Sequence, residues 1–112
     1  MRGAITTENT KIQISHDTIT LIEEIIKNNN IDINDITAIF FSTTKDINKI
    51  YPAEAVRQYG ITSVPMMCFQ EMDVENSLKK CIRVIMFVNF TEEKKIKHIY
   101  LKDAKNLRPD LI

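Results

Sequence analysis

Two segments of the chain are apolar almost without interruption, Ile36 to Ser42 and Cys81 to Phe90. Both are short and rich in β-branched and aromatic residues, the pattern of strands buried on at least one face. Arg2 to Thr7 reads as a short first strand and Ser63 to Gln70 as another. After a turn at Thr91 to Lys95, Lys97 to Lys102 reads as a strand returning antiparallel. Between the first strand and Ile36 the period changes. Ile12, Ile19, Ile22 and Ile26 recur at spacings of seven, three and four, which predicts a helix over Thr10 to Asn29. Thr10 or Ser15 caps its start. Asn28 to Asn30 stops it, and Asp32 to Asp35 is a turn. Pro52 suits the first position of a second helix that Gly60 ends after Tyr59, and Val74 to Lys80 reads as a short helical crossover. Strands outnumber helices and alternate with them, so the fold class is α+β, a sheet with helices on one face.

A length of 112 residues corresponds to one domain, 1–112, burying about 65% of its unfolded surface. Formal net charge is zero and the sequence pI is near 6.7. A neutral chain lacks the basic surplus that holds nucleic acid or an anionic membrane, so neither is expected as a partner. The apolar runs are far shorter than a bilayer span, and no export signal follows Met1-Arg2, which points to the cytoplasm. Cys68 and Cys81 have no metal-ligand spacing and are not expected to pair, and Cys81 reads as a small buried apolar residue.

Charge changes the picture at one residue type. Of fifteen basic residues only four are arginine: Arg2, Arg57, Arg83 and Arg108. Guanidinium suits bidentate capture of carboxylates or phosphates, so the four either converge on a small polyanion or form four separate ion pairs. Arg83 is the most informative. Strand alternation sets it on the same face as Ile85 and Phe87, where a permanent charge requires an anion nearby. The candidates are a ligand or Glu71, just beyond the third strand.

The block Val64-Pro65-Met66-Met67-Cys68-Phe69-Gln70-Glu71-Met72-Asp73-Val74, followed by Leu78-Lys79-Lys80-Cys81-Ile82-Arg83-Val84, is the specific signal. With Arg2-Gly3-Ala4, Tyr51-Pro52-Ala53-Glu54-Ala55-Val56-Arg57, His98-Ile99-Tyr100-Leu101 and Leu107-Arg108-Pro109-Asp110-Leu111 in order, the chain resembles the monofunctional chorismate mutases of the trimeric pseudo-barrel class. The resemblance implies a five-stranded mixed sheet with helices on one face. It implies a homotrimer whose sites lie between subunits, and conversion of chorismate to prephenate on the route to phenylalanine and tyrosine. It implies no cofactor and no metal, because a [3,3] rearrangement within one molecule needs neither nucleophile nor proton transfer.

By the same resemblance Arg83 is the cation facing the ether oxygen, and Arg2 and Tyr100 bind the side-chain carboxylate. Glu71, with the Cys68 thiol beside it, takes the ring hydroxyl. Met66, Met67, Phe69 and Gln70 line the pocket. Tyr51, Ala53 and Arg57 come from the neighbouring subunit, and Leu107 and Arg108 close over the site from the tail. His16 and His98 are expected at the surface or an interface, without a role. The chain departs from the family pattern at Glu54, where a lysine is common at the pocket mouth, and at Tyr51, Met66 and Met67. Two other readings keep the fold: a trimeric small-ligand binding module without catalysis, and an imine or enamine deaminase.

Overall fold

The computed structural model describes residues 1–111. Five strands, β1 (Arg2–Thr6), β2 (Ile36–Thr43), β3 (Met66–Gln70), β4 (Cys81–Val88) and β5 (Ile99–Leu101), form one sheet in the order β3-β2-β4-β1-β5. The sheet is mixed: β4 is antiparallel to both β1 and β2, while β3 and β5 run parallel to β2 and β1 at the edges. The last strand therefore does run opposite to β4, but it is not β4's partner. Both edges of β4 are already taken, so residues 89–98 carry the chain past it to β1.

Helices α1 (Lys11–Asn28) and α2 (Pro52–Tyr59) cover one face. Thr10 caps α1, its hydroxyl accepting the Gln13 N–H at 3.1 Å. The face that α1 buries differs from the expected one. Ile14, Asp17, Thr18, Leu21, Ile22 and Ile25 point inward, whereas Ile12 is 83% exposed. Isoleucines occur on two sides of this helix, and only the set completed by Thr18 and Leu21 holds the three- and four-residue spacing through the whole length. Ile14, Leu21, Ile22 and Ile25 join one core with Ile5, Ile39, Phe41, Ile82, Val84 and Met86 of the sheet. Gly60, with φ at 125°, ends α2 as expected.

The segment Val74 to Lys80 is not a helix. Asn76 and Lys80 adopt positive φ (64° and 49°), which breaks any helical run. Both carboxylate oxygens of Asp46 accept the Lys80 N–H (3.1 and 3.0 Å), and the Thr44 hydroxyl accepts that of Cys81 at 3.0 Å. This turn, not a helix, sets where β4 starts and hence where Arg83 lies. Among the described residues, no helix is long and apolar enough to cross a membrane.

Candidate active site

Strand register brings the chemistry together. Reading across the sheet, Phe69, Ser42, Arg83, Ala4 and Tyr100 are successive partners from β3 to β5. The parallel row one step along holds Met67, Phe40, Ile85 and Arg2. Both rows lie on the face away from the helices, because residues of the other parity make the core. That face is apolar and open: Met67 is 55% exposed, Phe69 49%, Ile85 37% and Phe87 44%. Phe40 stands between Phe69 and Phe87 in edge contacts, with ring centroids 6.0 and 5.5 Å away.

Arg2, Glu71, Arg83 and Tyr100 line one cleft of about 410 Å³ on this face, with Phe69 as its apolar wall. Glu71 is fixed just beyond β3 by its N–H, which donates to the Thr43 carbonyl at 2.8 Å. Its carboxylate meets the Arg83 guanidinium at 3.4 Å, with both side chains partly exposed. Arg83 therefore has the anion that its apolar strand demanded, but at a long distance and with donors to spare. Tyr100 is buried at 5% exposure, packed with Ala4, Cys81 and Ala104 and covered by Leu107. Arg108 is held by Asp110 in a two-pronged pair at 3.0 and 2.8 Å. That pair raises the Arg108 pKa.

The remaining expected residues fall elsewhere. Met66, Cys68 and Gln70 have the opposite parity in β3 from Met67 and Phe69 and turn toward the helices. Within one protomer the Cys68 thiol is therefore not beside Glu71. It borders a second cleft, about 510 Å³, on the far side of β3 with Tyr51, Glu54, Phe69 and Gln70. Burial raises the Cys68 pKa, against the opposing pull of a bond to the Ala53 backbone and the charge of Arg57. Ala53 is buried in α2 and Arg57 is exposed one turn on. Lys11, Lys45 and Lys49 also line this second cleft, which sequence reasoning missed because they are scattered along the chain. Cys81 is buried and pushed up to about 11, an inert thiol.

His98 differs most from expectation. It is partly buried, and its Nδ1 accepts the backbone N–H of Arg2 at 3.0 Å. Burial lowers its pKa, and the positive charges of Arg2, the chain's first amino group and Arg108 lower it further. Its place two residues before Tyr100, just ahead of the strand flanking β1, was the available signal.

Comparison with known proteins follows the same lines. Residues 1–111 match the family model for chorismate mutase type I. The chain is similar to the chorismate mutase AroH of Bacillus subtilis (strain 168), 43% identical over 99% of this chain and 90% of that protein. It is similar also to chorismate mutase AroH of Thermus thermophilus, 37% identical over 99% of this chain and 93% of that one. A solved structure, chorismate mutase from Clostridium thermocellum Cth-682, superposes with a TM-score of 0.90 at 45% identity, covering 95% of this chain and 96% of that one. A five-stranded sheet in this order, with arginines and Glu71 gathered on its open face, accords with these matches: the chain belongs to the type I chorismate mutase family.

Proposed function

We propose that the chain, acting as one domain, works as a homotrimer in which each active site joins the Arg83 cleft of one protomer to the Cys68 cleft of its neighbour. As a member of its family it is an isomerase that converts chorismate to prephenate. The observation that carries the shared site is the division of the expected residues between two clefts. Arg2, Glu71, Arg83 and Tyr100 line one, while Tyr51, Cys68 and Gln70 border the other. The open face with Phe40, Phe69, Ile85 and Phe87 supplies the apolar surface that such a trimer would bury.

In this reading the site selects the compact conformer of chorismate, so that the ends of the new carbon–carbon bond meet without further loss of freedom. As the carbon–oxygen bond breaks, negative charge grows on the ether oxygen. Arg83, the central member of its row, is the cation placed to meet it and binds the transition state better than the substrate. Arg2 and the Tyr100 hydroxyl take the side-chain carboxylate. Glu71 accepts from the ring hydroxyl, and the neighbour's Cys68, kept as a thiol by burial, donates to it. Met66, Met67, Phe69 and Gln70 shape the walls. Arg57 and Ala53 come with the neighbour's α2, and Leu107 with Arg108 closes the site once substrate draws Arg108 from Asp110. A cytoplasmic setting belongs to the same proposal, in keeping with two free cysteines.

A mixing experiment tests this. Arg83→Ala and Arg57→Ala chains each carry one damaged half-site. Refolded together and assayed at low chorismate, they should regain activity, since about a quarter of the sites in randomly mixed trimers combine two intact halves. No recovery, or an active monomer in sedimentation, would refute a shared site.

A further inference from the structure

Met1 and Met86 exchange both backbone bonds, at 2.7 and 2.8 Å, so the next pair along, Arg2 and Ile85, is not hydrogen-bonded. The Arg2 N–H therefore points away from β4 and toward β5. There the ladder has not yet begun, because β5 starts at Ile99 opposite Gly3. The acceptor is the His98 side chain, in line with Arg2 as Tyr100 is with Ala4. A backbone N–H can only donate, so Nδ1 carries a lone pair and the neutral ring keeps its proton on Nε2. The residue before His98 is also held. Asn29, which caps α1, donates to the Lys97 carbonyl at 2.9 Å and accepts the Lys97 N–H at 2.8 Å.

We propose that His98 is a positioning residue for the rearrangement, its neutral imidazole fixing the backbone from which Arg2 reaches the substrate and the register in which Tyr100 stands beside it. This rests on the reading of Arg2 as a carboxylate ligand. A second proton would sit on Nδ1 and set donor against donor, so the bond is lost when His98 becomes charged. The charged groups around the ring are the Arg2 guanidinium from β1, the Met1 amino group and Arg108 from the tail, with Asp110 engaged on Arg108. Burial and three cations, with Asp110 already engaged on Arg108, disfavour the charged ring, and His98 stays neutral at pH 7.

The test compares wild type, His98→Asn, His98→Leu and Arg2→Ala with chorismate from pH 8 down to about pH 5. Asparagine offers an acceptor oxygen near the position of Nδ1 and does not titrate. Near pH 8, His98→Leu should lose about five- to tenfold in kcat/KM, and His98→Asn should recover most of that loss. Wild-type kcat/KM should fall as the pH drops below 6.5, the ordinary histidine value, and His98→Asn should lack that fall. An unimpaired His98→Leu overturns the inference, as does the same acid fall in His98→Asn, which decides the matter if the leucine variant does not fold. Arg2→Ala separates the two levels. Wild-type activity in that variant overturns the reading of Arg2 and this inference with it. An impaired Arg2→Ala beside an unimpaired His98→Leu overturns the inference alone.

Discussion

Gly3 offers the most direct test of how packing sets the site. A Cβ placed there would lie 2.8 Å from the Ile99 carbonyl oxygen, 3.0 Å from Ile25 Cδ1 and 3.1 Å from Leu21 Cδ1. Ordinary contact begins near 3.4 Å, so Gly3→Ala demands a displacement of about 0.6 Å from a backbone atom that cannot rotate away. Overpacking of this kind costs about 1–3 kcal/mol. At about 4–8 °C per kcal/mol for a chain near this size, the melting temperature should fall by roughly 4–24 °C. Activity should fall too, because Ile99 is the strand neighbour of Gly3 and pushing β5 away separates Tyr100 from Arg2. A 1 Å misplacement costs about a hundredfold, so the smaller shift here should cost about tenfold in kcat/KM. Differential scanning fluorimetry and a spectrophotometric assay of chorismate loss read the two effects. Adding Ile25→Val removes the Ile25 Cδ1 contact but not those with Leu21 and the Ile99 carbonyl, so the double variant should recover only part of both. A Gly3→Ala protein with wild-type melting and turnover would refute the claim that close approach at Gly3 sets the distance between Arg2 and Tyr100.

Citrulline at Arg83 keeps the shape and most donors but removes the charge. It should lower kcat by about 10²–10³, the cost of about 3–4 kcal/mol for a preorganised donor, with melting nearly unchanged because the Glu71 pair is partly solvated. A wild-type kcat would end the electrostatic account. Asp17 is 1% exposed and bonded to Lys102 at 2.9 Å and Gln13 at 3.1 Å. Burial pushes its carboxyl up, but bonds from Thr7, Lys102 and Gln13 outweigh that and hold it below 3.8. Its stabilisation is thus present above pH 3.8 and lost as pH falls through the lower folded value. Asp17→Asn should cost about 2–3 kcal/mol in urea unfolding at pH 7, with the gap to wild type closing in acid, and a pH-independent gap would contradict the assignment. Phe87→Asp places a charge on the open apolar face and should give smaller, inactive species in sedimentation. Intact, active oligomers would remove that face from the proposed trimer contact.

The elements legible in the sequence were those whose signals are local. Pro52 and Gly60 bracket α2 at both ends, and the β-branched runs mark β2 and β4. The buried side of α1 was not legible, since isoleucine occurs on two sides of it and the true set is completed by Thr18 and Asp17. Nor was the partner of β5, which depends on which strand edge remains free once β4 is flanked. Within the candidate site, Arg2, Glu71, Arg83 and Tyr100 were named from sequence and share one cleft. That Cys68 and Glu71 of one protomer use opposite faces of β3 was not legible, because block order carries no information about which face of an edge strand a residue uses. His98 was overlooked for a related reason. Its bond is to a backbone N–H, and side-chain chemistry along a sequence does not disclose where a ladder leaves a donor open.

The straight row from Phe69 to Tyr100 also gives the cleft a metric. Neighbouring strands stand about 4.8 Å apart, and same-face residues along one strand about 6.8 Å apart. Arg83 and Tyr100 are separated by one intervening strand, so their backbones are spaced at about two interstrand steps, near 10 Å. These intervals are set by hydrogen-bond ladders and do not stretch. A ligand gripped at both points must match a fixed span, and a larger or smaller one cannot be accommodated by sliding the sheet. Selection for ligand size in such a scaffold has only side-chain length, or a jump by a whole strand or residue pair, with which to work.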